Sequence, residues 1–74
     1  MTRQELYNAV DSLASDIEFS YLSVDGAICP FSREDISVAY GGEECTFNSI
    51  SDALGAKIVS GESLEDIVEK LEFL

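Results

Sequence analysis

Histidine and tryptophan are absent from this sequence of 74 residues, and proline occurs once. Without histidine, the chain has no imidazole base to activate a nucleophile and no imidazole ligand for a zinc site. Cys29 and Cys45 are the only cysteines, which is too few for the disulfide framework of a small secreted protein. We expect two buried thiols rather than a bond between them. These absences predict a protein that is not an enzyme and that holds no metal or cofactor.

Basic residues are also scarce. Arg3, Arg33, Lys57 and Lys70 stand against 15 acidic residues, so the formal net charge at pH 7 is 4 − 15 = −11. Proteins bind nucleic acids and anionic membranes largely through lysine and arginine, so we expect neither as a direct partner. The partner that suits such a chain is another protein with a basic surface.

Long apolar runs are missing as well. No run approaches the roughly 20 apolar residues that are needed to span a bilayer. The first five residues, 1–5, lack the basic and apolar segments of a signal peptide. Both observations predict a cytoplasmic protein.

The sequence does contain an ordinary share of hydrophobic residues, 46%, which is enough for a core. We expect residues 1–74 to form one compact domain that buries about 60% of the surface exposed in the unfolded chain. Such thin stability favours a partner subunit, whereas the net charge of −11 on each copy opposes it. We therefore expect a monomer rather than a homodimer.

An amphipathic helix is predicted from residue 4 to about residue 21. Its apolar positions recur at spacings of three and four residues, as on one face of a helix. They are Leu6, Val10, Leu13, Ile17 and Tyr21. Thr2 and Glu5 have the spacing of an N-terminal capping box, T-x-x-E. The pair Asp25-Gly26 predicts the turn that follows the helix.

The middle of the chain is predicted to hold one β-hairpin. Residues 27–35 are interpreted as a loop with at most a short edge strand, which ends at Pro30; a single helical turn begun by Ser32 is the alternative. Residues 36–47 then alternate apolar and polar side chains on both sides of Gly41-Gly42, which supplies the positive φ angles of a tight turn.

Two short helices are predicted to complete the chain. The first lies near residues 50–60, with Asn48, Ser49 or Ser51 as its N-cap and Gly61 just past its end. The second begins at Ser63 and runs towards the C-terminus. The predicted fold class is thus α+β: an N-terminal helix, a β-hairpin and two short C-terminal helices packed on one face of the sheet. A mainly helical bundle that carries the hairpin as an appendage is the alternative.

The last predicted helix carries the candidate partner-binding residues. Glu65, Glu69 and Glu72 are spaced i, i+4 and i+7, which places three carboxylates on the face opposite the apolar stripe. Phe73 and Leu74 add an apolar C-terminus. A solvated surface explains these acids, and a docking site for a basic protein is the functional interpretation.

Two functions remain after these exclusions. The first is a small protein–protein interaction or regulatory module. The alternative is a nucleic-acid mimic whose carboxylates imitate phosphates and so inhibit a DNA- or RNA-binding protein. The acids are spread along the chain, since residues 1–35 carry 2 − 7 = −5 and residues 36–74 carry 2 − 8 = −6. This even distribution favours the first function over the mimic.

Overall fold

The computed structural model describes residues 1–13 and 15–74 of the chain. In order, the elements are α1 (Arg3–Asp11), β1 (Ile17–Tyr21), β2 (Val24–Ser32), β3 (Asp35–Tyr40), β4 (Glu43–Phe47), α2 (Ile50–Gly55), α3 (Leu64–Ile67), a 3₁₀ turn (Val68–Lys70) and β5 (Glu72–Phe73). Short helices beside an antiparallel sheet confirm the α+β class. Within the described residues, every helix is too short or too polar to cross a membrane.

The five strands form one antiparallel sheet in the order β4-β3-β2-β1-β5. Strands β1 to β4 are a meander, in which each strand pairs with the next through a short turn. Strand β5 returns from the end of the chain to the free side of β1, where Phe73 pairs with Phe19 and Glu72 pairs with Ser20. The sheet is therefore larger than the single hairpin predicted from the sequence.

Helix α1 begins as predicted but ends at Asp11 rather than near residue 21. The Thr2 hydroxyl accepts a hydrogen bond from the backbone N–H of Glu5, and the Glu5 carboxylate accepts one from the N–H of Thr2. The capping box is thus confirmed. These two bonds satisfy donors that the first turn of a helix leaves unpaired.

Residues 17–21 form β1, so their assignment to the helix was wrong. The spacing of four residues between Ile17 and Tyr21 fits a strand, whose period is two, as well as a helix. Phe19 lies between them and points to the same face of the strand, where it is fully buried. Hydrogen bonds to β2 on one side and β5 on the other make the extended form the stable one.

The interpretation of residues 27–35 as a loop was wrong: residues 27–32 belong to β2, the longest strand, which lies inside the sheet between β1 and β3. Residues 33 and 34 form the turn to β3, which begins at Asp35, so the alternative of a helical turn begun by Ser32 was also wrong. The pairing with β1 extends only to Ile28, which faces Ile17, so beyond this point β2 has β3 as its one neighbouring strand. Pro30 lies in this part of β2 beside a β-bulge and pairs with Ile36. The sheet accommodates the proline because no second strand needs its missing N–H there.

Two tight turns with positive φ join β1 to β2 and β3 to β4. Gly41 and Gly42 have φ angles of 61° and 88°, and they close the hairpin predicted over residues 36–47. The first turn uses Leu22 and Ser23 instead, with φ angles of 52° and 64°. The prediction of a turn at residues 25 and 26 was wrong because both lie in β2.

Helix α2 is shorter than predicted. Its N-cap is Ser49, whose hydroxyl accepts a backbone N–H of the first turn, and it ends at Gly55 rather than near residue 60. Gly61 therefore does not follow the end of this helix. It lies with a φ of 79° in a turn that the backbone bridge between Val59 and Glu62 closes.

Helix α3 begins as predicted but is a single turn. The Ser63 hydroxyl accepts the backbone N–H of Asp66, which confirms this cap. The 3₁₀ turn and β5 follow at once, so the predicted helix to the end of the chain was wrong. The physical reason is that Phe73 gains a cross-strand partner in Phe19 and packs against the core.

One buried cluster joins the helices to the sheet. Its largest fully buried members are Phe19, Leu6, Ile28, Ile36, Leu54, Leu64 and Ile67. Gly26 pairs with Phe19 on one side and with Tyr40 on the other, and the two rings stack with centroids 6.2 Å apart. A Cβ on Gly26 would lie 2.5 Å from Cζ of Phe19 and 2.6 Å from the carbonyl oxygen of Ala39, so this position requires glycine.

Candidate functional site

The structure separates the acids that the sequence placed on one helical face. Glu65 lies in α3 and Glu69 in the 3₁₀ turn, whereas Glu72 lies in β5 and pairs with Ser20. The helical period ends within this stretch, so the spacing i, i+4 and i+7 does not place the three carboxylates on one helix face. Their role in binding a partner stays a prediction.

The apolar C-terminus is divided between core and solvent. Phe73 is half-buried and packs against the core, whereas Leu74 is 75% exposed. The backbone N–H of Leu74 donates to the carbonyl oxygen of Glu18 at 3.0 Å, which ties the end of the chain to β1. Of these two predicted contact residues, Leu74 is the accessible one.

A depression beside the N-terminus of α1 contains acids and cations together. Its lining includes Glu65, Glu69 and Lys70. Arg3, also part of the lining, forms an ion pair with Asp66 at 3.0 Å and donates through Nε to the carbonyl oxygen of Glu65 at 3.0 Å. Because charges of both signs lie side by side, this region does not present an acidic surface of one sign.

Strand alternation gathers a different set of acids. Residues that pair across antiparallel strands lie on the same face of the sheet, and the next residue along each strand lies on the other face. One face carries the buried residues Phe19, Ile28 and Val38. The opposite face, which we name the acidic sheet face, carries Glu18, Ser20, Asp25, Ala27, Cys29, Asp35, Ser37, Ala39, Glu44, Thr46 and Glu72.

Within the described part of the chain, the acidic sheet face is open to solvent. All five of its carboxylate residues are exposed, and the small residues at its centre are half-buried. Ser37 is the exception, at 7% exposed, and its hydroxyl lies 3.3 Å from the hydroxyl of Thr46 in a hydrogen bond. This contrasts with the other face, on which Ile28 and Val38 are fully buried.

One row of paired residues crosses the acidic sheet face from acid to acid. Glu18, Ala27, Ala39 and Glu44 are successive partners on β1, β2, β3 and β4. Neighbouring strands lie about 4.8 Å apart, so three spacings separate the two glutamates by about 14 Å. The two alanines between them form a low floor, since a methyl group is the largest side chain there.

Cys29 lies in the adjoining row, with Ser37 and Thr46, and the pKa of its thiol depends on the nearby carboxylates. Burial raises the pKa of its thiol, and the carboxylates of Asp16, Glu44 and Glu18 raise this pKa further. Glu18 on β1 and Glu44 on β4 lie to either side of Cys29 on this one face. The thiol therefore stays protonated at neutral pH, without the electropositive surroundings that make a cysteine reactive.

The two cysteines are unpaired, but they differ in exposure. Cys29 is half-buried, whereas Cys45 is exposed. The expectation of two buried thiols was wrong for Cys45, because β4 is an edge strand and leaves this side chain at the border of the sheet.

The cations lie outside the sheet. None of the five strands of the described chain contains lysine or arginine. Arg33, in the turn between β2 and β3, forms an ion pair with Asp11 at the end of α1 at 2.7 Å. Since Arg3 pairs with Asp66 of α3, both arginines are engaged with acids of the helices. Neither arginine pairs with a carboxylate of the acidic sheet face.

No family model, curated protein or solved structure matches this chain. Its function is therefore inferred from its own surface, in which the acidic sheet face carries five exposed carboxylates and, among the described residues, no cation.

Sequence reasoning missed the acidic sheet face because it assigned residues 17–21 to a helix and residues 27–35 to a loop. The sequence does contain a pattern that predicts β1. Ile17, Phe19 and Tyr21 alternate with polar residues, as in a strand with one buried side. With the same alternation applied to β2, the outward positions of the two strands would have been predicted to share a face.

Proposed function

We propose that this protein is a small, non-enzymatic cytoplasmic module that binds another protein through its acidic sheet face. The observation that carries the proposal is the charge of this face, which holds five carboxylates and, among the described residues, no cation. A basic surface on the partner complements it. Two unpaired cysteines support a reducing compartment such as the cytoplasm.

The packing of the core supports an open sheet face. The buried cluster draws its sheet members, such as Phe19, Ile28 and Val38, from one face only. We infer that the three helices cover that face and that the domain has two layers, one of helices and one of sheet. The second face of the sheet is then left to contact solvent or a partner.

Charge also supports a foreign partner over a second copy of the chain. Two copies that met through this face would bring two sets of five carboxylates together, with no cation in either set to offset the repulsion. This supports a monomer that engages a basic protein.

A nucleic-acid mimic is the second candidate function, and one observation favours it. The strand register brings Glu18, Asp25, Asp35, Glu44 and Glu72 to one face although they are scattered along the sequence. A mimic needs its carboxylates on one continuous face, because it must follow the basic groove of a nucleic-acid-binding protein. In this case, the partner is the protein whose groove is blocked.

The test is affinity capture with the full chain immobilised and a lysate of the source cell, washed at low and at moderate salt. We expect mass spectrometry to identify a protein with a basic surface that binds at low salt, is weakened at moderate salt and is not displaced by added DNA, because salt screens the attraction between exposed charges. A nucleic-acid-binding protein that is lost at moderate salt and displaced by added DNA supports the mimic. Capture of nothing above an uncoated resin at either salt overturns both functions.

A further inference from the structure

We infer that the acidic sheet face seats a basic amphipathic helix of the partner, which lies along β2 and β3 between Glu18 and Glu44. This inference rests on the proposed function and names the shape and chemistry of what the module binds. It is carried by the row of residues that crosses the face, by the small side chains at its centre and by the absence of cations from the described strands.

The width of the row fits a helix. Glu18 and Glu44 are about 14 Å apart across the strands. A helix with its side chains is about 10–12 Å in diameter, so one helix fills the space between the two glutamates. A lysine or arginine on each flank of that helix then reaches one carboxylate, while its lower surface rests on Ala27 and Ala39.

The length of the floor is also that of a short helix. From Asp25 to Cys29, β2 covers four residue steps, or about 13 Å at 3.3 Å per residue. A helix of about nine residues spans the same distance at 1.5 Å per residue. The small side chains along this path, which include Ser37, let a helix approach closely without displacing anything.

An extended segment does not fit this face. The backbone donors and acceptors of a sheet lie in its plane, so a strand binds at a sheet edge rather than on a face. A partner on the face must instead bring a surface of side chains, and a helix provides one with an apolar or small stripe between two charged flanks.

The first experiment compares two charge-reversed variants that differ only in location. Glu18→Lys/Glu44→Lys alters the acidic sheet face, and Glu34→Lys/Glu43→Lys makes the same change of charge at two exposed acids outside that face. Circular dichroism confirms that both remain folded. We expect the first variant to retain roughly tenfold less of the captured partner than the wild type, and the second to retain nearly all of it. Loss of the partner only in the second variant, or in neither, overturns the inference.

The second experiment needs no substitution. The wild-type chain, alone and with its captured partner, is treated with N-ethylmaleimide, and modification of each cysteine is measured by peptide mass spectrometry. Cys29 lies on the acidic sheet face. Cys45 pairs with Val38 on the opposite face of the sheet and serves as the internal control. We expect the partner to protect Cys29 and to leave Cys45 as reactive as before. Equal modification of Cys29 with and without the partner overturns the inference.

The third experiment tests the shape of the occupant. The segment of the partner that the complex protects from proteolysis is synthesised and mixed with the protein, and far-ultraviolet circular dichroism is recorded. A gain of helical signal over the sum of the separate spectra is expected. A segment that binds without helix overturns the inference while the proposed function stands, whereas failure to capture any partner removes the proposed function itself.

Discussion

The turn between β1 and β2 is built from residues that ordinarily avoid its conformation. Leu22 and Ser23 both have positive φ, at 52° and 64°, where the Cβ of an L-residue crowds the backbone. Asn-Gly is the pair preferred in such two-residue turns. We predict that the double variant Leu22→Asn/Ser23→Gly is more stable than the wild type.

The expected gain follows from three contributions. A left-handed conformation costs a non-glycine residue about 1–2 kcal/mol, and most of this is recovered at both positions. Glycine at position 23 also raises the conformational entropy of the unfolded chain, which lowers the free energy of unfolding by about 0.5–1 kcal/mol and offsets part of this gain. Leu22 is 67% exposed, so its removal sacrifices little apolar burial. A net stabilisation of about 1–3 kcal/mol remains, and for a domain of this size each kcal/mol raises the Tm by about 4–8 °C.

The assay is urea unfolding followed by circular dichroism, together with a thermal melt. The midpoint should rise with an unchanged dependence on urea, which identifies a change in stability without a change in the compactness of the unfolded state. Gly42→Ala in the turn between β3 and β4 is the matched control, because its φ is 88° and no other group lies within 4 Å of the added Cβ. It should lose about 1 kcal/mol. A double variant no more stable than the wild type would refute the conclusion that the first turn is strained.

Four further predictions follow from local geometry. Gly26→Ala should destabilise the fold by about 1–3 kcal/mol in urea unfolding, because the new Cβ meets the Phe19 ring and a backbone oxygen. N-Ethylmaleimide should modify the exposed Cys45 of the free protein before the half-buried Cys29, as measured by mass spectrometry. Because the folded pKa of Cys29 is raised, its contribution to stability is complete below the unfolded thiol pKa, about 8.5, and is lost as the pH rises through the folded value. A Cys29→Ser variant should therefore lose less stability than the wild type between neutral and alkaline pH. Ser49→Ala should cost about 1 kcal/mol, because it removes the N-cap of α2.

Each of these has a control within the chain. Gly55→Ala places a Cβ 3.8 Å from a flexible Glu65 oxygen and should be neutral or stabilising by up to about 1 kcal/mol. Asn48→Ala should change stability by less than about 0.5 kcal/mol, since the hydroxyl of residue 49 is the cap. Equal losses at the two glycines or at the two cap positions would contradict the packing described here. Faster modification of Cys29 than of Cys45 would contradict the exposure described for the two thiols. An equal loss of stability at alkaline pH in the wild type and in Cys29→Ser would contradict the raised pKa of Cys29.

Local chemistry, read from a few neighbouring residues, predicted the parts of the fold that depend on it. Thr2 and Ser63 were identified as caps because a hydroxyl three residues before an N–H satisfies it whatever the rest of the chain does. The hairpin around Gly41-Gly42 was predicted because its turn requires positive φ, which glycine adopts freely. Composition likewise determined the excess of acids over cations.

Partners distant in sequence decided the rest. A spacing of four residues is compatible with a helix and with a strand, so Ile17 and Tyr21 alone did not determine β1; pairing with β2 and β5 did. Phe73 lies in β5 rather than in the predicted helix because it pairs with Phe19, which is more than fifty residues earlier in the chain. The same pairings brought Glu18 and Glu44 to opposite sides of one open face. Charge was thus determined by the sequence, and its concentration on one surface was decided by strand register, which only the folded chain establishes.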